Sequence, residues 1–279
     1  MNNSIYPCLW FDGEAKNAAT FYCSIFNHSK IISENPIVTK FEIEGKTILA
    51  LNGGSMFTIN PSISLFVACS TVDEIEKIYD KLSDGGKIMM PLDTYPWSEK
   101  YAWITDKFGM TWQLMLDASA DEKQKITTSF LFSSEQFGKA YQAIEHYVSI
   151  FPSSQIIHTE FYKEDESQAV GNLKFGHFSL NNEPFNAMDG PGNHAFQFNE
   201  GLSLVIECKT QEEIDHYWER LTEDGQESSC GWLKDKFGVS WQIVPAILGE
   251  LMNDVEKAPR VTQAFLKMKK FDLEAILNA

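Results

Sequence analysis

The chain has 279 residues, 43% hydrophobic and 13% aromatic, enough to bury a sizeable core in two units of ordinary domain size. Its 23 Lys and Arg stand against 39 Asp and Glu, a formal charge of −16 that repels phosphate backbones and anionic membranes, so neither nucleic acid nor a membrane surface is an expected partner. No segment has the apolar length of a membrane span and Met1 to Pro7 has neither a basic start nor an apolar run, so the expected location is cytoplasmic.

From the N-terminus, Ile5 to Phe11 is a short apolar run closed by Asp12-Gly13, which predicts a strand and a turn. Ala18, Phe21, Tyr22, Ile25 and Phe26 follow at helical spacing and predict an amphipathic helix. Three strands are expected next, at about 29–33, 37–44 and 47–52, with Glu44-Gly45-Lys46 as the last turn. The same order then recurs. Ile63 to Cys69 is a strand, Val72, Ile75, Ile78, Tyr79 and Leu82 mark a helix stopped by Asp84-Gly85-Gly86, and strands are expected near 87–90, 101–105 and 110–116. Each stretch is a βαβββ unit.

The second half repeats the first. Ile104-Thr-Asp-Lys-Phe-Gly-Met-Thr-Trp-Gln-Leu114 returns as Leu233-Lys-Asp-Lys-Phe-Gly-Val-Ser-Trp-Gln-Ile243, and Phe21 to Phe26 matches His146 to Phe151. Self-similarity of this length fixes an architecture of duplicated modules. The expected organisation is a first domain at 1–117, a polar linker at 118–124, a second domain at 125–245 and a helical tail at 246–279. In the tail, Val261, Phe265 and Met268 form an apolar stripe begun by Pro259, suited to packing on the body or on a second subunit. The second copy is ten residues shorter in the segment that holds Thr94-Tyr-Pro-Trp-Ser98 in the first. Cys8, Cys23, Cys69, Cys208 and Cys230 are odd in number and lack C-x-x-C spacing, which fits reduced thiols.

Trp10-Phe-Asp-Gly13, Phe21-Tyr-x-x-Ile-Phe26, Gln211 to Trp218 and Cys230-Gly-Trp-Leu-Lys-Asp-Lys-Phe-Gly-Val-Ser-Trp-Gln-Ile-Val-Pro245 resemble the PhnB-like family, labelled 3-demethylubiquinone-9 3-methyltransferase. That family belongs to the vicinal oxygen chelate superfamily, the glyoxalase and bleomycin-resistance fold. The resemblance implies an α+β fold of tandem glyoxalase-like domains, each with a curved, mixed eight-stranded sheet from two βαβββ units and helices outside. Enzymes of the superfamily chelate a divalent metal with His, Gln or Glu from four strands of the concave face. Carried over, those places fall near Pro7, Leu51 or Asn52, Ile63 or Ser64 and Gln113, and near Thr128, Met188 or Asp189, Leu202 or Ser203 and Gln242. Only Gln113, Gln242 and Asp189 are plausible ligands, too few and too weak for a tightly bound metal. No cofactor is expected, and a divalent metal is the disfavoured option.

Strand alternation sets Gln113 and Gln242 on the face opposite Trp112 and Trp241, towards a cup. His177, Asp189, Cys230, Trp232 and Gln242 are the candidate lining of a second-domain cup, with Gln113 and Trp10 the candidates in the first. Asp106 and Asp235 read as turn residues that accept backbone N–H bonds. The methyltransferase label is disfavoured because Gly190-Pro-Gly192 runs into another strand, whereas an S-adenosylmethionine site needs a glycine turn that opens a helix. The functional expectation is small-molecule binding in one or both cups. The alternatives are a metal-dependent lyase, isomerase or dioxygenase, a methyltransferase, or a structural dimer module.

Overall fold

The computed structural model describes residues 3–119, 125–164 and 169–279; most of the expected linker lies outside them. Four βαβββ units follow one another. The first is β1 (Ile5–Phe11), α1 (Ala15–Ile25), β2 (Ser29–Glu34), β3 (Val38–Ile43) and β4 (Lys46–Asn52). The second is β5 (Ile63–Cys69), α2 (Val72–Ser83), β6 (Lys87–Tyr95), β7 (Ser98–Thr105) and β8 (Thr111–Leu116). The third is β9 (Ile126–Phe132), α3 (Ala140–Ile150), β10 (Gln155–Phe161), β11 (Leu173–Leu180) and β12 (Glu183–Asp189). The fourth is β13 (Leu202–Cys208), α4 (Gln211–Thr222), β14 (Gln226–Glu227), β15 (Trp232–Lys234) and β16 (Ser240–Pro245).

These units form two mixed eight-stranded sheets. One, sheet A, runs β14-β15-β16-β13-β1-β4-β3-β2, and the other, sheet B, runs β10-β11-β12-β9-β5-β8-β7-β6. Each sheet therefore takes one unit from each half of the chain. The seams are the antiparallel pairs β1 with β13, where Cys8 faces Ser203, and β5 with β9, where Ser64 faces Ser129. Repeats in a sequence fix the order of units but not which units share a seam, so a half-by-half assignment of the sheets does not hold.

The halves keep their identity on the helix side. Tyr22 and Phe26 of α1 pack on the fully buried Trp112 of β8, with ring centroids 5.2 and 5.6 Å apart, and Tyr147 and Phe151 pack on Trp241 at 5.4 and 5.6 Å. Beneath each tryptophan a buried aspartate gathers its turn. Asp106 accepts from the N–H groups of Phe108 and Met110 and from Trp112 Nε1, and Asp235 accepts from Phe237, Val239, Trp241 Nε1 and the Tyr147 hydroxyl. The recurring Asp-Lys-Phe-Gly-x-x-Trp string thus locks a helix of one unit to the closing strand of the next. α2 and α4 begin on Thr71 and Thr210, whose hydroxyls cap Glu74 and Glu213 N–H, with acidic residues in the first turn.

One hydrophobic core runs through the helix-bearing faces of both sheets, and the other faces of the sheets form the cups. The tail folds as α5 (Leu248–Asn253), α6 (Ala258–Phe265) and α7 (Leu273–Leu277) onto the body, burying Val261, Phe271 and Ile276. It stands beside the short β14–β15 hairpin of the fourth unit. There Cys230 and Gly231 donate backbone N–H bonds to Met268 and Lys269, and Lys269 pairs with Glu227. A Cβ on Gly231 would meet the Phe271 ring at 2.5 Å, so only glycine admits this contact.

Candidate functional site

Alternation along β1 divides its residues cleanly. Ile5, Leu9 and Phe11 join the main core, whereas Tyr6 and Cys8 form a separate apolar cluster with Val205, Leu49, Leu51 and Val244 on the other face. That second cluster is the floor of the sheet A cup. Across it Trp232 pairs with Gln242, which stands opposite Val205 and bonds diagonally to Ser203, and Ser203, Cys8, Leu49 and Lys40 continue in register. In sheet B Trp103 pairs with Gln113, which stands opposite Phe66 and bonds diagonally to Ser64, and Ser64, Ser129, Asn186 and His177 continue in register.

At the rim of the sheet A cup Trp10 meets Phe57 and Trp232 edge-on, with centroids 5.0 and 5.9 Å apart. Trp10 Nε1 donates to the Gly54 carbonyl at 2.6 Å, and the neighbouring backbone lies so close that a Cβ on Gly53 would fall 2.2 Å from the indole. At the floor, Gln242 Nε2 donates to Ser203 Oγ at 2.9 Å, and among the described residues no group donates to the Gln242 carbonyl oxygen. The thiol of Cys8 lies by both side chains, and burial pushes its pKa up to about 12, so it stays protonated and is no nucleophile. Further along, Glu207 accepts from the Tyr6 hydroxyl at 2.6 Å and from Lys40 Nζ at 2.8 Å. Burial, the adjacent carboxylate and this hydrogen bond raise the Tyr6 pKa well above the phenol range, which keeps its proton in place.

In the sheet B cup the corresponding amide is closed off. Gln113 Nε2 donates to Ser64 Oγ at 2.6 Å, but its carbonyl oxygen accepts from the Tyr101 hydroxyl at 2.8 Å. Tyr101 stands on the longer β6–β7 hairpin, packed edge-on beneath Tyr95 and Trp97. The second unit thus sets over its glutamine a tyrosine that Gln242 lacks. In the fourth unit Cys230 holds the equivalent place, with φ of 58°, and its thiol turns to the Phe265 carbonyl under the tail.

The family described as 3-demethylubiquinone-9 3-methyltransferase matches residues 3–115 and 124–244. The chain belongs to this PhnB-like family. No curated protein matches it. A Bacillus cereus protein titled putative 3-demethylubiquinone-9 3-methyltransferase, PhnB protein, is 35% identical over 40% of this chain and 98% of its own, with a TM-score of 0.38. Glyoxalase I from Zea mays is 11% identical over 91% of this chain and 97% of its own, with a TM-score of 0.56. A putative dioxygenase from Bacillus subtilis is 10% identical over 92% of this chain and 93% of its own, with a TM-score of 0.52. The fold is the tandem glyoxalase-like, vicinal oxygen chelate arrangement.

Against this PhnB-like frame the expected site residues separate. Trp10, Trp232 and Gln242 come together in the sheet A cup, although Trp10 and the other two lie at opposite ends of the chain. His177 and Gln113 share the sheet B cup instead, where His177 Nδ1 is 2.8 Å from Asn186 Oδ1. The expected grouping of His177 with Gln242 fails because β11 and β16 belong to different sheets. Asp189 is on the helix side, 1% exposed, where it accepts from Gly138, Ala140 and Leu173 N–H and fastens the start of α3, and burial raises its pKa. Asn52 does the same for Ala15 N–H in the first unit. Cys230 is a contact of the tail and lines neither cup floor. Pro7 and Thr128, carried over as ligand positions, also alternate to the helix side.

Sequence reasoning missed Tyr6, Cys8, Glu207 and Phe57. The signal for Glu207 was present, as the one charged residue in the strand Leu202–Cys208. At the central-strand positions of a superfamily metal site stand Cys8, Leu49, Ser203 and Gln242 in sheet A, and Ser64, Gln113, Ser129 and Asn186 in sheet B. Neutral amides, hydroxyls, a protonated thiol and a leucine do not fit a divalent transition metal.

Proposed function

We propose that the protein binds a small, flat, largely apolar molecule in the sheet A cup, with no resident metal. In this reading the ring of the ligand lies on the Trp10, Phe57 and Trp232 cluster, and a donor on the ligand meets Gln242 Oε1. The observation that carries it is that acceptor. No hydrogen bond within the described residues reaches Gln242 Oε1, and this oxygen is not among the fully buried unpaired atoms, so it lies open to a donor arriving in the cup over the apolar floor of Leu49, Leu51, Val205 and Val244. A few convergent polar groups over an apolar lining are what a specific small-molecule site requires. The fixed trio of Tyr6, Glu207 and Lys40 would recognise a second polar group at the far end of the cup.

The family description names a demethylubiquinone, a planar hydroxylated ring that has this chemistry. Methyl transfer is a weaker reading, since Gly190-Pro191-Gly192 leaves β12 and leads to β13 through residues 193–201 without a helix that could receive S-adenosylmethionine. The test is a fluorescence titration with hydroxylated benzoquinones. Gln242→Ala should weaken binding by about 1–3 kcal/mol with folding retained, because the partner donor loses its acceptor. Gln113→Ala should leave affinity unchanged. Equal losses, or a loss confined to Gln113→Ala, would overturn the assignment.

A further inference from the structure

The seam at the start of β9 is closed by a lysine. Lys125, one residue before that strand, sets its ammonium between the carboxylates of Glu74 on α2 and Glu44 in the β3–β4 turn, and the side chains of Lys125 and Glu44 are 14% and 4% exposed. The seam at the start of β1 has the same frame. Ser4 stands where Lys125 does, since its carbonyl accepts the Glu207 N–H of β13 as the Lys125 carbonyl accepts the Ala68 N–H of β5. Asn181 stands where Glu44 does, each a left-handed residue that opens a two-residue turn, with φ of 50° and 46°. Glu213 stands where Glu74 does, each with its N–H capped by a threonine hydroxyl. Serine in place of lysine leaves this second frame without its ammonium. Among the described residues no cation pairs with Glu213, which accepts from Asn3 Nδ2 and the Lys209 N–H instead.

A cavity of about 250 Å³ lies in this frame, lined by Asn3, Ser4, Tyr6, Thr47, Asn181 and Glu183 with their neighbours. It is at the strand ends where the two sheets meet, not on a cup floor. The ladder of β1 with β4 begins only at Cys8 and Leu49, because Pro7 has no N–H to give, so the first residues of β1 are not zipped to β4 around the cavity. Ser4 is exposed and marks the mouth. Asn181 forms the inner wall. Its Nδ2 is committed to the Asn3 carbonyl and the Tyr217 hydroxyl, which fixes the amide one way round and leaves Oδ1 buried without a donor. A buried acceptor in a polar cavity calls for a donor from outside the chain.

We propose that this cavity binds a small primary alkylamine, whose ammonium takes the place that the Lys125 ammonium fills at the twin seam. The ammonium donates to Asn181 Oδ1, the Glu213 carboxylate balances its charge, and the aliphatic stem leaves past Ser4 as the lysine stem leaves its own backbone. Lys46 does not compete for the place, because Glu183 holds its ammonium at 2.5 Å. The formal charge of −16 draws cations to the chain. This site is independent of the sheet A reading.

The experiment titrates the full chain, labelled with nitrogen-15, with n-butylammonium chloride and, separately, with tetramethylammonium chloride, which has the charge but no N–H donor. Butylammonium should shift the amide resonances of Ser4, Thr47 and Asn181 saturably and leave the Trp10 and Trp232 indoles unmoved, and tetramethylammonium should not. Ser4→Lys restores the twin's lysine, so it should abolish the response and raise the melting temperature. Asn181→Asp keeps a residue that tolerates the left-handed turn and gives the ammonium a charged acceptor, so it should tighten butylammonium about tenfold. No saturable shift in the wild type, equal shifts with tetramethylammonium, an undiminished response in Ser4→Lys, or weaker binding by folded Asn181→Asp would overturn the proposal.

Discussion

Replacing Asp235 by Ala removes the acceptor on which a whole junction converges. Its carboxylate, 4% exposed, accepts from Phe237 N–H at 2.9 Å, Val239 N–H at 3.1 Å, Trp241 Nε1 at 2.8 Å and the Tyr147 hydroxyl at 2.7 Å. Water that enters the opened turn can reach the two backbone groups, but Trp241 and Tyr147 are fully buried. Two unsatisfied buried donors at about 1–3 kcal/mol each set an expected loss of about 4 kcal/mol, read as the shift in urea unfolding at pH 7. A loss below about 1 kcal/mol would refute the claim that this aspartate joins α3 to β16. Burial pushes its pKa from 3.8 up to about 6. Because the folded value is above the unfolded one, this group favours folding fully below about pH 4, and the contribution is lost as pH rises through about 6. Asp235→Asn cannot titrate. Between pH 4 and pH 7 the stability gap should therefore move in its favour by about 3 kcal/mol, and a gap constant with pH would contradict the sign.

Gly53→Ala places a methyl group inside the Trp10 indole and should cost about 2 kcal/mol in thermal stability, with a change in tryptophan emission; an unaltered spectrum would show that Trp10 is not clamped there. Iodoacetamide at pH 8 should label half-exposed Cys23 and Cys230 well before buried Cys8 and Cys69, whose pKa values are pushed up to about 12, and before buried Cys208; early labelling of Cys8 by mass spectrometry would contradict a sealed cup floor. Ending the chain at Pro245 removes the buried Val261, Phe271 and Ile276, and at about 1.5–3 kcal/mol each the melting transition should fall sharply or vanish; an unchanged transition would mean that the tail does not support the β14–β15 hairpin.

Much of the fold was legible because it is periodic. The helices of Phe21 to Phe26 and His146 to Phe151, the Asp-Lys-Phe-Gly turns and the closing Trp-Gln strands all lie where spacing and repetition put them, since those patterns are local. The seams were not legible. β1 could pair with any strand edge of suitable length, and Cys8 facing Ser203 depends on a contact between opposite ends of the chain. That one fact moved His177 away from Gln242. Asp189 was misplaced by one step of alternation, because Ala187 and Asp189 point to the helices while Asn186 and Met188 line the cup. Cys230 was misplaced because it is itself left-handed, in the loop between β14 and β15, where its thiol turns to the Phe265 carbonyl of a tail that comes 35 residues later.

The most direct test of the central claim is a crystallographic screen of soaked planar, hydroxylated ring fragments. Density is expected in the sheet A cup, with a ring on Trp10 and Trp232 and a donor within hydrogen-bond distance of Gln242 Oε1. Fragments that occupy other surfaces reproducibly and leave this cup without density at every concentration would contradict it.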